Sequence, residues 1–121
     1  MLTVGVDIVE IPRVEEAIAR RGDAFLKRIY TDMEITLYRN RIHELAVRFA
    51  AKDAVMKALG TGIRGVGWRE IEILPNRRGK PLVYLHGRAK ERAELLGIKE
   101  LAISLSHSKE FAVASVVGNG P

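Results

Sequence analysis

The stretch Glu44-Leu-Ala-Val-Arg48-Phe-Ala-Ala-Lys52-Asp53-Ala-Val-Met-Lys57-Ala-Leu59, followed at once by Gly60-Thr-Gly62, decides how the rest of the chain is arranged. Ala, Leu, Met and Lys favour helix and Gly60 stops it, so one long helix is predicted over Glu44–Leu59. At 100° per residue, Val47, Ala50, Ala51, Ala54, Val55 and Ala58 share one arc that is wholly apolar and mostly small. Such a face lets a sheet approach closely. Arg48 with Lys52, and Asp53 with Lys57, stand at i, i+4 spacing. On spacing alone these are ordinary surface pairs of about 0.2–0.5 kcal/mol. Asp53 and Lys57 nevertheless border the packed arc and could point into a cleft.

Upstream, Leu2–Val9 alternates as a strand does, with Leu2, Val4, Val6 and Ile8 on one side and Thr3, Gly5, Asp7 and Val9 on the other. Pro12 suits the first turn of a helix over Pro12–Arg20, stopped by Gly22. Thr31 to Glu34 reads as a capping box opening a helix over Asp32–Tyr38. Downstream, Gly60–Gly67 reads as a loop. Strands are expected at Glu70–Leu74 and Leu82–His86, joined by a turn over Pro75–Pro81. Arg88–Leu96 reads as a helix ended by Gly97. Leu101–Ser106 and Phe111–Val117 form a hairpin around Ser108–Glu110, and Gly118–Pro121 is expected to be disordered. The pattern is one α+β domain over 1–121, an antiparallel sheet packed against a long central helix.

A chain of 121 residues with 47% hydrophobic content can build one small core. Oligomerisation is a reasonable expectation at this size. No apolar run approaches the roughly 20 residues that span a bilayer. Asp7 and Glu10 interrupt any charged-then-apolar leader. With no cysteine, disulfides, thiolate zinc sites and thiol catalysis are excluded, and a cytoplasmic setting is expected. A net charge of +5 favours an anionic partner, although a plainly solvated basic surface fits it equally well. Aromatic residues at 6% weaken the case for single-stranded nucleic acid held by base stacking.

Four groups of residues could carry chemistry. Asp7 lies inside an apolar strand, where a carboxylate needs a cation, donors or a metal, and Gly5 on the same face would leave space for a ligand. A strand-end Asp bonded to backbone is the plain alternative. Gly60-Thr61-Gly62 can bring amides close to a phosphate, or can simply cap the helix. Ser104-Leu-Ser106-His107-Ser-Lys109 ends a strand with hydroxyls, an imidazole and an amine, without the Gly-x-Ser-x-Gly elbow of a serine hydrolase. His43 and His86 share no metal-site spacing with His107 or with each other, and read as structural. On the first helix Arg13, Ala17 and Arg20 share a face that Arg21, Lys27 and Arg28 extend; it could dock an acidic helix or merely be solvated.

In order along the chain, Val4-Gly-Val-Asp7-Ile, Arg48-Phe-Ala-Ala-Lys-Asp-Ala-Val-Met-Lys-Ala-Leu-Gly-Thr-Gly62 and Ile103-Ser-Leu-Ser-His107-Ser closely resemble the holo-acyl-carrier-protein synthase family. Glu70-Ile-Glu-Ile, Asn76, Gly79-Lys80-Pro81 and Ala112–Val117 also fit. The resemblance implies a small α+β phosphopantetheinyl transferase, usually a homotrimer with active sites at subunit interfaces. It would move phosphopantetheine from coenzyme A to a serine of an acyl carrier protein. It further implies that Asp7 and Asp53 hold Mg²⁺, and that Lys57 meets the phosphates. Arg48, Gly60, Thr61, Gly62, Ser106 and His107 would line the coenzyme site, and Arg13, Arg20 and Arg21 would meet the acidic carrier. The serine needs a base, for which Asp53 is the first candidate and His107 the second. The family's second metal carboxylate is typically Glu. Asp53 is one methylene shorter, so it would need a closer helix or a bridging water, which Mg²⁺ accepts.

Three rivals have distinct signatures. A small nucleic-acid-binding module would lose affinity steeply with salt and need no Mg²⁺. A metal-dependent phosphohydrolase using the same Asp pair would need no acceptor protein. A noncatalytic subunit would bind the carrier and leave it unmodified.

Overall fold

In the computed structural model, which describes residues 1–121, the chain runs β1 (Leu2–Glu10), α1 (Ile11–Arg21), α2 (Asp23–Ile29), α3 (Asp32–Tyr38), α4 (Ile42–Ala58), β2 (Ile71–Pro75), β3 (Pro81–Leu85), α5 (Gly87–Leu96), β4 (Glu100–His107) and β5 (Phe111–Asn119). One sheet is three-stranded and antiparallel in the order β1-β5-β4; β2 and β3 pair as a separate hairpin.

The predicted small arc of α4 lies on the three-stranded sheet, where Ala50, Ala51, Ala54, Val55 and Ala58 are buried against Ala114 and Val116 of β5. The closest approach is at Gly5. A Cβ there would stand 1.9 Å from the Ala54 carbonyl oxygen. The space expected for a ligand beside Gly5 is therefore taken by the backbone of α4. The other side of the sheet is open, with Leu2 at 73%, Val4 at 69%, Val6 at 58% and Ile8 at 62% exposure.

Both halves of the capping box at Thr31 and Glu34 are present. Glu34 reaches further than a cap needs: its carboxylate accepts from Thr31 N (2.8 Å) and Ile73 N (2.9 Å) and lies 2.7 Å from Lys52 Nζ. Lys52 also donates to the carbonyls of Trp68 and Ile71. Glu34 and Lys52 are both fully buried, so Lys52 is no surface residue. Burial presses its ammonium pKa down, and the charge of Glu34 opposes that. Arg48 is likewise internal, 3% exposed; it donates to Ile73 O (3.0 Å), Glu44 (2.7 Å) and Tyr38 Oη (2.9 Å). Together these charges tie α3, α4 and β2 into one unit.

Two expectations need correction. Asp23–Ile29, for which the sequence pattern offers no element, is a helix that turns Leu26 and Ile29 into the cluster around Tyr30 and Tyr38. Gly118–Pro121 is not a loose tail. Strand β5 continues to Asn119, paired with Leu2 and Glu100, and Gly120 N donates to Met1 O at 3.1 Å.

Candidate active site

The C-terminal half of α4 crosses β1 where Asp7 turns toward it. Lys57 Nζ donates to Val6 O at 2.9 Å and to Asp7 Oδ1 at 3.2 Å, and lies 3.4 Å from Asp53 Oδ2. One ammonium thus bridges two carboxylates from different elements. The side chain of Asp7 is 17% exposed, that of Asp53 34% and that of Lys57 51%, so the cluster opens to solvent on one side. Burial and then the charge of Asp53 push the Asp7 carboxyl above its ordinary range, with Lys57 only partly opposing them. For Lys57 desolvation works toward loss of the proton, but the hydrogen bond and charge of Asp7, with Asp53, outweigh it and raise its pKa. The cluster keeps an excess negative charge that a divalent cation could share.

Gly60-Thr61-Gly62 leaves α4 directly beyond this cluster. Gly60 takes φ 68°, as the turn demands; Gly60 N donates to Lys57 O (3.1 Å) and Thr61 N to Met56 O (3.0 Å). The sequence-predicted set of Asp7, Asp53, Lys57 and this loop is therefore contiguous along one helix end.

Ser106 and His107 lie elsewhere. His107 pairs with Ala112, which pairs with Val9, and its ring centre sits 4.8 Å from that of His43 in the first turn of α4. Along α4 the distance from His43 to Asp53 is about 15 Å. Within one chain, His107 does not join the Asp7–Asp53–Lys57 cluster. It borders a separate groove of about 420 Å³ walled by Glu44, Gly79, Lys80, Pro81 and Ser104. Lys80 is a functional candidate that the sequence pattern alone does not mark. The signal for it lay in the turn: Asn76 Oδ1 accepts from Arg78 N and Lys80 N and so fixes the loop that presents it. Arg48 belongs to neither group, because its guanidinium is buried and bonded inside the protein. The expectation that it lines the coenzyme site is corrected accordingly.

Arg13, Arg20 and Arg21 all point outward from α1. Arg13 lies 3.8 Å from Glu10 with its side chain 81% exposed, and Arg20 pairs with Glu16 at 2.7 Å. Beside Arg13 runs an apolar groove of about 400 Å³ lined by Ile8, Val14, Phe25, Phe49 and Phe111. Those aromatics are scattered in sequence, and no local pattern announces that they converge. Nowhere do three or more His, Cys, Asp or Glu side chains gather in a metal-binding group.

A family model described as the 4'-phosphopantetheinyl transferase superfamily matches residues 3–116. The chain is 46% identical over 127 residues to the holo-[acyl-carrier-protein] synthase of Herpetosiphon aurantiacus, covering 99% of this chain and 100% of that protein. Among solved structures it is similar to the holo-[acyl-carrier-protein] synthase of Neisseria meningitidis, with a TM-score of 0.90 and 36% identity over 97% of each chain. The Helicobacter pylori synthase in complex with coenzyme A matches with a TM-score of 0.87 and 35% identity, covering 96% of this chain and 99% of that one.

Proposed function

This chain belongs to the 4'-phosphopantetheinyl transferase superfamily, and from that membership we propose that it converts apo acyl carrier protein to the holo form. It transfers the 4'-phosphopantetheine group of coenzyme A to a serine of the carrier and releases adenosine 3',5'-bisphosphate. The observation that carries this reading is the Asp7–Lys57–Asp53 cluster, set at one end of α4 beside the Gly60–Gly62 loop. We read residues 1–121 as a single transferase domain and assign its activity to the cytoplasm.

The serine oxygen attacks the phosphorus that bears the pantetheine arm, the bond to the bisphosphate breaks, and the hydroxyl proton leaves. Asp53 takes that proton in this reading, which its greater exposure than Asp7 supports. Lys57, held protonated by two carboxylates, offers its ammonium to the phosphate oxygens as negative charge builds on the leaving group. In the loop that follows, Gly60 N and Thr61 N are already bonded to carbonyls of α4, which leaves the Gly62 amide as the donor for a phosphate. Asp7 and Asp53 would hold Mg²⁺, because their shared negative charge exceeds what one lysine cancels. The shorter arm of Asp53 leaves room for the waters that this ion keeps. When bound, the ion supplies neutralising charge to the pyrophosphate.

Two features support a homotrimer with active sites between subunits. Leu2, Val4, Val6 and Ile8 form an apolar strip on the uncovered face of the sheet, larger than a scatter of single exposed residues. Ser106 and His107, the expected coenzyme contacts, stand two strands across the sheet from the Asp7 strand, and the His107 ring turns to His43 rather than to the Asp7 cluster. A neighbouring copy could supply them. The carrier would dock at Arg13, with Arg20 and Arg21 beside it and the apolar groove taking a nonpolar side chain of an acidic partner.

The test is the intact mass of an apo acyl carrier protein incubated with coenzyme A, Mg²⁺ and this protein. A gain of one phosphopantetheine that disappears on metal chelation is expected. Release of free phosphopantetheine with the carrier unmodified would instead mark a phosphohydrolase.

A further inference from the structure

His43 and His107 share no local spacing, yet the fold puts their ring centres 4.8 Å apart with planes tilted by 44°. His43 comes from the first turn of α4, and His107 is the last residue of β4. His107 is exposed and His43 half-buried. Two imidazoles bound to one tetrahedral Zn²⁺ at about 2.0–2.1 Å have ring centres about 5 Å apart. The observed ring separation matches that of two imidazoles sharing one ion.

The environment of His107 adds a second, independent point. Its Nδ1 lies 3.3 Å from the carbonyl oxygen of Ser108. A carbonyl can only accept, so Nδ1 carries the proton and donates, which leaves the lone pair on Nε2. A backbone carbonyl on the far ring nitrogen is the usual outer partner of a metal-bound histidine. The side chain of His43 makes no hydrogen bond or ion pair within the chain. Glu44 lines the same groove, but its two oxygens serve Arg48 at 2.7 Å and Arg41 at 3.4 Å.

We propose that His43 and His107 form a two-imidazole Zn²⁺ site, completed by water and distinct from the Asp7–Asp53 pair. The two sites divide metals by ligand chemistry: paired carboxylates suit Mg²⁺ and imidazoles suit Zn²⁺. His107 lines the groove that holds Lys80 and His43 does not, so Zn²⁺ held here stands at the edge of that groove and obstructs it. That last consequence rests on the transferase reading; the binding itself does not.

The experiment is a titration of the whole protein with ZnCl₂ against a chromogenic chelator, in excess Mg²⁺ and without coenzyme A. One Zn²⁺ per chain is expected. His43→Gln and His107→Gln should each weaken binding at least about tenfold, while Asp7→Asn leaves it unchanged. Circular dichroism melts confirm that each variant is folded. In the transfer assay His43→Gln should match the parent without zinc and resist the zinc concentration that half-inhibits the parent. Equal zinc affinity in the parent and in His43→Gln overturns the site, as does loss of binding confined to Asp7→Asn. Zinc inhibition of the same depth in parent and His43→Gln would overturn the blocking of the groove. A failed transfer assay with intact, His43-dependent binding would count against the transferase reading alone.

Discussion

Gly5→Ala is the smallest change that strikes fold and site together. The added Cβ would lie 1.9 Å from Ala54 O, 2.9 Å from Ala54 C and 3.0 Å from Ala58 N. All three are backbone atoms of α4, so no side chain can swing away to relieve the overlap. Real contacts of this kind essentially never fall under 3.0 Å, and β1 or α4 must therefore retreat by more than 1 Å. Overpacking a core costs about 1–3 kcal/mol, and a clash between two backbones belongs at the upper end. At this chain length about 3 kcal/mol lowers Tm by roughly 10 °C. The same retreat separates Asp7 and Val6 from Lys57, which now reaches them at 3.2 and 2.9 Å. A displacement of about 1 Å at a reacting centre can cost around a hundredfold in rate. Calorimetry and a transfer assay run below the melting range would read both effects. A variant with parental Tm and parental kcat would refute the close approach of β1 to α4 and the site geometry built on it.

Asp7→Ala should lower transfer at least about a hundredfold with the circular dichroism spectrum and Tm retained, because the residue faces the cleft; unchanged turnover would remove Asp7 from the site. The double variant Arg13→Glu/Arg20→Glu should raise KM for the carrier about tenfold and steepen its salt sensitivity while KM for coenzyme A stays constant; a change confined to coenzyme A would place the docking face elsewhere. Lys52→Met leaves Glu34 charged, fully buried and without its ion partner, and should cost about 3–5 kcal/mol in urea unfolding, most of it regained in Glu34→Gln/Lys52→Met. Burial alone would raise the Glu72 pKa, but hydrogen bonds from Thr31 and His86 hold it below its ordinary value. Its stabilisation is thus present above the unfolded carboxylate range and lost as pH falls through the lower folded value. The stability gap between the parent and Glu72→Gln should therefore shrink on acidification; a gap constant from neutral to strongly acid pH would deny the shift.

What could be read from the sequence followed the periodicity of its longest element. The small apolar arc of α4 predicted close packing on a sheet, and the strand alternation of Leu2–Val9 supplied the partner. The capping box at Thr31 was legible because its two residues act over three positions. Glu34 and Lys52 were not legible as core, since charged residues in a helical pattern look solvated until their partners on α3, α4 and β2 are known. Helix α2 has only seven residues, too few for a periodic signal. The end of β5 leaves no sequence signal, because backbone bonds to β1 and β4 hold Gly118 and Asn119 and no side chain advertises them. Gly5 signals that something must come close to β1, and only the fold shows that it is the backbone of α4.

The site residues were legible as an ordered series and not as a place. Asp7, Asp53 and Lys57 meet because two of them lie one turn apart on a helix whose face is fixed by its alanines. His107 belongs to the same series, yet it packs beside His43, which lies about 15 Å along α4 from Asp53. A single copy leaves uncovered a strip formed by Leu2, Val4, Val6 and Ile8, and in the trimer proposed here it would hold two half-sites. Asp7 lies on the same strand as that strip, with its side chain on the opposite face, and β1 is an edge of the sheet, so a neighbour that covers the strip and wraps this edge would reach the Asp7 cluster as well. Under the trimer proposed here, burial of that strip and completion of the site would be one event, and the apolar residues that a lone chain exposes would serve the chemistry by bringing a neighbour's groove to it.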